Sequence, residues 1–188
     1  MDYIILSRNS IFEITKVTQL LDKTFKVKAL GNLKLFLGLE IARTKDDIHV
    51  SQHKYALDVI SDAGLLVVKP CSTLIIKGMK NIFNEGNPLE DITSYQRLIE
   101  RLIYLTNKRP DISYVMQFFS QFMHAPTLEH HIATHRVLRY IKGAPEQGLF
   151  FPSHSNLQLK GFCDSEWATC PSTRRSTTGF CVFLDSSF

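Results

Sequence analysis

Two aspartates lie where a sheet could present a carboxylate to a metal ion. Asp2 opens a predicted strand at residues 2–7, and Asp164 ends another, with Glu166 two residues later. Enzymes that transfer phosphoryl groups with two metal ions need several carboxylates around ions about 3.5–4 Å apart. Neither position is a complete site by itself, and both are also typical of ordinary surface carboxylates.

Three histidines, His130, His131 and His135, lie within two turns of a predicted helix. The spacing of His131 and His135 is the one at which two imidazoles on a helix bind zinc. A zinc protease would have glutamate at position 132, where this sequence has Ile132. We therefore expect a hydrated helix face here. The chain also has no glycine-rich phosphate loop, no GxSxG turn and no Cys–His catalytic signature.

Positive charge is concentrated in the middle of the chain. The net charge is +4, and residues 97–143 hold seven Lys and Arg against three Asp and Glu. A basic segment favours phosphate-bearing partners, because binding releases their counterions. A solvated helix face is the alternative explanation for an excess of this size.

The composition excludes several classes of protein. The 188 residues are 44% apolar, which is enough for one ordinary domain or two small ones. No apolar run reaches the roughly 18–20 residues that span a bilayer, so we expect no membrane partner. Four irregularly spaced cysteines argue against a disulfide scaffold. The first ten residues lack a signal-peptide pattern, and we expect an intracellular protein.

A mixture of helices and strands must position the candidate catalytic and binding residues. Hydrophobic periodicity predicts helices over 11–24, 53–63, 92–107, 111–123 and 127–142, and strands over 2–7, 33–42, 48–52, 157–165 and 177–184. Residues 66–93 have weak periodicity and several Pro and Gly, which predicts a long irregular connection. Gly38 within a predicted strand indicates close approach of another backbone. The fold class is α+β.

Several long strings in this order resemble one protein family. They are IILSRN, FLGLEI with IHVSQHKYA, DAGLLVVKPCST, SYQRLIERLIYLTNKRPDISYVMQFFSQFMHAPTLEHHIATHRVLRYIKGAPEQGL and LKGFCDSEWATCPSTRRSTTGFCVFL. The chain resembles the C-terminal part of the reverse transcriptase of copia-type LTR retrotransposons, continuing into the start of RNase H. The resemblance implies a partial palm with a helical thumb and connection, followed by an incomplete RNase H-like sheet.

The resemblance also implies where metal ions act. The family's polymerase motif has two adjacent aspartates, and here Asp2 matches the first while Tyr3 stands in place of the second. Asp164 matches the first RNase H carboxylate. Mg²⁺ is the cofactor of the parent family, and Asp2 and Asp164 would bind it only if further carboxylates completed each site. We expect this chain to bind no metal.

Contacts with an RNA or DNA template–primer are the second implication. The hairpin at 33–52 resembles the region that holds the primer end, with Leu37 and Gly38 in its first strand. The basic helices would lie along the template–primer, with these candidate contacts: Arg97, Arg101, Arg136, Arg139 and Lys142. Glu100 departs from the family, which usually has glycine there.

Three regions follow from the resemblance. Residues 1–65 would be the palm end, the primer-grip-like hairpin and the thumb start; 66–150 the linker and helical thumb or connection; and 151–188 the truncated RNase H-like start. The parental function is RNA-directed DNA polymerisation with RNase H, and we expect this chain to be inactive alone. The alternative is a non-specific nucleic-acid-binding or interaction remnant without catalysis.

Overall fold

The computed structural model describes residues 4–75, 86–153, 158–168, 174 and 176–184. The chain divides into two compact units, one ending at Phe36 and the other beginning at Leu37. Helices and strands are mixed, as the α+β prediction requires.

The first unit contains a helix with no buried residue. Helix α1 spans Ile11–Phe25, and the side chain of Ser10 accepts a hydrogen bond from the Glu13 amide at its start. A short strand, β1, follows at Leu35–Phe36. The predicted strand at 2–7 is wrong for its described part, because residues 4–7 are exposed and have no regular structure. An apolar run forms a strand only where another strand supplies its hydrogen-bond partners.

The second unit begins with a turn and then alternates strands with helices. Its elements are β2 (Leu39–Arg43), β3 (Asp47–Ser51), α2 (His53–Asp62), α3 (Ile92–Thr106), a 3₁₀ turn (Pro110–Ile112), α4 (Ser113–Ser120), α5 (Leu128–Gly143), β4 (Leu149–Pro152), β5 (Leu159–Glu166) and β6 (Thr177–Leu184). The five helices among the described residues therefore occur where periodicity predicts them, within a few residues at each end.

The continuous strand predicted at 33–42 is interrupted. Leu37 and Gly38 have positive φ angles of 48° and 77° and form a turn directly before β2. A strand residue has a negative φ, so the apolar run ends at this point and resumes at Leu39.

Strand β4 is an element that the sequence analysis missed. It pairs antiparallel with β3, with Ile48 opposite Phe151, while β3 pairs on its other side with β2. Gly148 permits the approach, because a Cβ there would lie 2.2 Å from the carbonyl oxygen of Val50. Residues 149–152 were not predicted as a strand because only four residues pair, and their partner lies about a hundred residues earlier.

Within the described part of the second unit, helices α2, α3, α4 and α5 enclose the core. Their buried apolar side chains are Ala56, Val59, Ile60, Tyr95, Ile99, Leu102, Leu105, Val115, Met116, Phe119, Ala133, Val137, Leu138 and Ile141, joined by Ile112 of the 3₁₀ turn. Each helix contributes residues three or four positions apart, as an amphipathic helix must. Strands β5 and β6 form a separate two-stranded sheet, in which Cys163 lies opposite Phe180. This hairpin was predicted.

Candidate nucleic-acid interface

The turn before β2 has a strained backbone. Leucine rarely adopts the left-handed conformation of Leu37, which costs about 1–2 kcal/mol because the Cβ crowds a carbonyl oxygen. The side chain of Leu37 is 72% exposed, so its burial does not offset that cost. Consecutive positive φ angles at Leu37 and Gly38 match a type I′ turn, in which glycine is favoured at the second position.

Helix α3 holds this turn through a tyrosine. The hydroxyl of Tyr104 donates a hydrogen bond to the carbonyl oxygen of Leu37 at 3.1 Å. The ring of Tyr104 meets the ring of Tyr55 edge-on, with centroids 5.2 Å apart. Tyr55 lies on α2 and donates its hydroxyl to the carbonyl oxygen of Arg101 at 3.4 Å. The turn, α2 and α3 are therefore connected through two tyrosines.

The space above Gly38 is open. A Cβ built on Gly38 would meet no described atom within 4 Å. Within the described residues, no other part of the chain closely approaches this glycine, and its positive φ angle is what requires the residue type. An external group has room to approach the backbone at this position.

Arg97 and Arg101 lie one turn apart on α3, on the same side as Tyr104. Arg97 is exposed. Arg101 forms a 2.7 Å ion pair with Asp62 and lies 5.8 Å from the ring centroid of Tyr55. Burial alone would lower the pKa of Arg101, and the contacts with Asp62 and Tyr55 outweigh this and raise it. Asp62 is largely exposed, so the ion pair contributes at most about 1 kcal/mol to stability.

Lys142 on α5 has its ammonium group surrounded by main-chain oxygens. Its Nζ donates to the carbonyl oxygen of Val68 at 2.6 Å, to that of Leu65 at 3.3 Å, and also to that of Leu66. Three acceptors match the three N–H bonds of an ammonium group. Lys142 therefore secures the irregular segment that follows α2.

Arg139 and Arg136 contact the continuation of the same segment. Arg139 donates from Nε to the carbonyl oxygen of Lys69 at 2.8 Å, and Arg136 donates from Nη2 to the hydroxyl of Thr73 at 2.5 Å. The predicted nucleic-acid residues of α5 thus have partners within the chain. Arg97 and Arg101 lie on a different helix, α3, and the partner of Arg101 there is Asp62.

Only one of the two predicted catalytic aspartates lies within the described residues. Asp2 lies outside the described residues. Asp164 is exposed on β5, directly opposite Gly179 of β6. In the described part of the chain, no group of three or more His, Cys, Asp or Glu side chains is placed to hold a metal ion. A Mg²⁺ pair therefore does not fit the donor set that the described residues supply.

The histidines differ from the predicted hydrated helix face. His130 is 1% exposed, and its ring lies 4.0 Å from that of Phe122, measured between centroids. Its Nδ1 accepts the amide of Thr127 at 3.0 Å, and Thr127 in return accepts the amide of His130, which makes a reciprocal helix cap. The prediction is wrong for His130, because a capping role places the residue inside the structure.

The pKa values of two of these histidines are lowered. Burial lowers the pKa of His130, against a smaller raising effect of Glu129. Burial also lowers the pKa of His135, and the nearby His131 adds to this. The rings of His131 and His135 have centroids 4.3 Å apart.

Arg109 is a buried cation that the sequence analysis did not single out. It is 2% exposed and forms a bidentate ion pair with Asp111, with N–O distances of 3.0 and 2.9 Å. Its Nη1 also donates to the carbonyl oxygen of Ala144 at 2.9 Å. The sequence feature that could have indicated this ion pair is Arg-Pro-Asp at 109–111. The proline begins the 3₁₀ turn, which brings the two charged side chains next to each other.

None of the helices described here has the length and apolar character of a membrane span.

Comparison with known families identifies the class of protein. The family described as "Reverse transcriptase (RNA-dependent DNA polymerase)" matches residues 1–77. The chain is thus similar, over its first two fifths, to polymerases that copy RNA into DNA. No solved structure gives a significant match.

Relatives extend the similarity to nearly the whole chain. An uncharacterised mitochondrial protein of Arabidopsis thaliana is 41% identical over 185 residues, which cover 98% of this chain and 76% of that protein. The retrovirus-related Pol polyprotein from transposon RE2 of the same plant is 35% identical over 184 residues, 98% of this chain but 13% of the polyprotein. A putative transposon Ty5-1 protein of Saccharomyces cerevisiae is 33% identical over 172 residues, 90% of this chain and 56% of that protein.

The chain belongs to the reverse transcriptase family found in the Pol polyproteins of copia-type retrotransposons.

Proposed function

We propose that this chain is the part of a retrotransposon reverse transcriptase that holds the template–primer, and that the turn at Leu37 and Gly38 is its contact with the primer end. The observation that carries this proposal is the exposed, open turn bonded to Tyr104 of α3, the helix that also carries Arg97 and Arg101. Residues 1–65, 66–150 and 151–188 would correspond to the palm end, the helical thumb or connection, and an RNase H-like start. Sequence similarity to Pol polyproteins supports this assignment.

The binding experiment uses fluorescence anisotropy with a labelled RNA template and a shorter DNA primer. We expect weak binding whose affinity falls steeply with salt, because each neutralised phosphate releases counterions. The change of Arg97 to glutamine should lower the slope of log affinity against log salt by about 1. Lys16→Gln removes another exposed cation, on α1, and is the matched control. Affinity that does not change with salt would contradict the proposal.

We also propose that the chain does not polymerise DNA by itself. Tyr3 stands where the family has its second aspartate, and a phenol at neutral pH is a poor ligand for Mg²⁺, which prefers carboxylate oxygen. The test is extension of a DNA primer on an RNA template with Mg²⁺ and all four dNTPs, with an intact copia-type reverse transcriptase as the positive control. Extension by the purified chain would overturn this part of the proposal.

The alternative is a remnant that interacts with other molecules without catalysis. Exposed apolar side chains on α1, including Ile11 at 82% and Phe12 at 77%, favour it. A chain that binds no nucleic acid at low salt but self-associates would support this alternative over the first proposal.

A further inference from the structure

The contact between α3 and the turn has a specific chemical form. The carbonyl oxygen of Leu37 accepts the Tyr104 hydroxyl, so the hydrogen bond acts on the backbone of the strained residue itself. Tyr104 is 42% exposed and Leu37 is 72% exposed, and both therefore lie at a surface that a ligand can reach. The hydrogen bond spans 67 residues of sequence, and it supports the turn from a helix whose other face is buried in the core.

Tyr104 is itself held in place by neighbouring groups. The edge-on contact with Tyr55 limits rotation of the Tyr104 ring. Tyr55 is held in turn by its hydrogen bond to the Arg101 carbonyl and by the Arg101 side chain over its ring. These contacts restrict the position of the Tyr104 hydroxyl, which can therefore hold the Leu37–Gly38 turn in one position.

We infer that Tyr104 is a positioning residue, which holds the Leu37–Gly38 turn in the geometry that receives a primer end. This inference rests on the proposed function. Tyr104 acts through the backbone of Leu37, because its hydroxyl is bonded to the Leu37 carbonyl oxygen and its ring packs against Tyr55. Loss of the hydroxyl frees the turn to relax from its left-handed conformation, because the bond that offsets part of the strain is gone.

The test compares two tyrosine-to-phenylalanine variants in the full chain. Tyr104→Phe removes the hydroxyl that reaches the turn and keeps the ring. Tyr114→Phe removes the hydroxyl of a 51% exposed tyrosine on α4, which has no part in holding Tyr104 in this inference, and is the matched control. Each variant is probed by amide hydrogen exchange at residues 37–39 and by anisotropy with two ligands: an RNA–DNA hybrid with a recessed primer 3′ end, and a continuous hybrid without one.

We expect Tyr104→Phe to speed exchange at residues 37–39 and to weaken binding of the recessed hybrid about two- to tenfold, the range that a single neutral hydrogen bond supports. Binding of the continuous hybrid and the salt slope should not change, since no cation is removed. A general loss of stability would weaken both ligands equally. Tyr114→Phe should preserve the preference for the recessed end.

The outcomes separate the inference from the function on which it rests. If the wild-type chain binds neither hybrid, the proposed function fails and the inference fails with it. If the wild-type chain binds the recessed hybrid and Tyr104→Phe binds it equally well, the inference alone is overturned. Gly38→Ala gives an independent check, because alanine at a φ of 77° is strained and should weaken the same ligand selectively.

Discussion

Charged side chains of this protein have two different roles that their residue types do not distinguish. Arg97 is exposed on α3, whereas Arg109 is 2% exposed and bonded to Asp111 and to a main-chain carbonyl. A buried guanidinium is stable only when its hydrogen bonds are made within the protein. We therefore assign Arg109 to the stability of the fold, where it links the turn before α4 with the end of α5.

Arg109→Ala should lower the free energy of unfolding by about 3 kcal/mol, since it breaks a buried ion pair and leaves the Asp111 carboxylate and the Ala144 carbonyl without this donor. Urea unfolding followed by circular dichroism measures the change. Arg97→Ala is the control, and it should shift stability by no more than about 0.5 kcal/mol. Equal effects of the two substitutions would show that Arg109 is not the structural cation.

Acidic pH should destabilise the protein through two histidines whose pKa values are lowered by burial. The pKa values of His130 and His135 are lowered in the folded state, whereas an unfolded histidine titrates near 6.5. The unfolded chain therefore binds more protons below about pH 6.5, and stability falls as the pH falls through this range. Urea midpoints between pH 8 and pH 5 test this.

His135→Gln should reduce that pH dependence, because one of the two responsible imidazoles is removed. His124→Gln changes an exposed histidine elsewhere and serves as the control. An unchanged acid sensitivity in His135→Gln would contradict the contribution of His135.

At the scale of elements, non-local contacts determine which segments pack together. Strand β4 joins the sheet because Gly148 lets its backbone approach β3, and residues 65–73 lie on α5 because three cations bind their carbonyl and hydroxyl oxygens. Neither contact involves a periodic pattern. Both join parts of the sequence that are about 70 to 100 residues apart.

Gly148→Ala should separate β4 from β3, because the new methyl group would lie 2.2 Å from the Val50 carbonyl oxygen and 2.9 Å from Cα of Ser51. We expect a loss of about 2 kcal/mol, within the range for overpacking. Gly161→Ala in β5 is a matched control, since its Cβ would meet no described atom within 4 Å. The midpoint temperature of thermal unfolding is measured for both variants. An unchanged midpoint in Gly148→Ala would contradict close packing between residue 148 and β3.

Lys142→Met should free the segment after α2, because it removes an ammonium group bonded to three carbonyl oxygens. Hydrogen bonds to a charged group contribute about 1.5–3 kcal/mol. Limited proteolysis should therefore cut within residues 65–73 sooner than in the wild type, and Lys16→Met should have no effect. If Lys142→Met instead lowered the salt slope of nucleic-acid binding without faster proteolysis, Lys142 would be a phosphate contact.

At the scale of the whole molecule, the helical core and the exposed β5–β6 hairpin differ in how well the described residues are packed. The core of α2, α3, α4 and α5 contains apolar side chains that are almost completely buried. Strands β5 and β6 carry exposed aromatic residues, including Phe162 at 62% and Phe180 at 81%. An exposed strand pair with apolar side chains favours association with other chains.

We expect the purified chain to self-associate through β5 and β6 as its concentration rises. Phe180→Lys should reduce this association, since a charge on an exposed strand opposes pairing. Ile132→Lys replaces a 58% exposed apolar residue on α5 and is the control. Sedimentation velocity over a range of concentrations measures the effect. A chain that stays monomeric at every concentration would contradict this prediction.

The local elements and the family can be predicted from the order of the amino acids. Helical periodicity and the strand alternation of β5 and β6 depend on neighbouring residues, so they can be recognised without a tertiary structure. Long strings in a constant order identify the reverse transcriptase family for the same reason, because they do not depend on which segments touch.

The contacts between distant segments become visible only in the folded chain. The turn at Leu37 is held by Tyr104, β4 pairs with β3, and His130 is a buried cap beside Phe122. Periodicity states which face of an element is apolar, but it does not identify the partner of that face. That choice depends on close packing and on satisfying buried polar groups, which are properties of the folded chain.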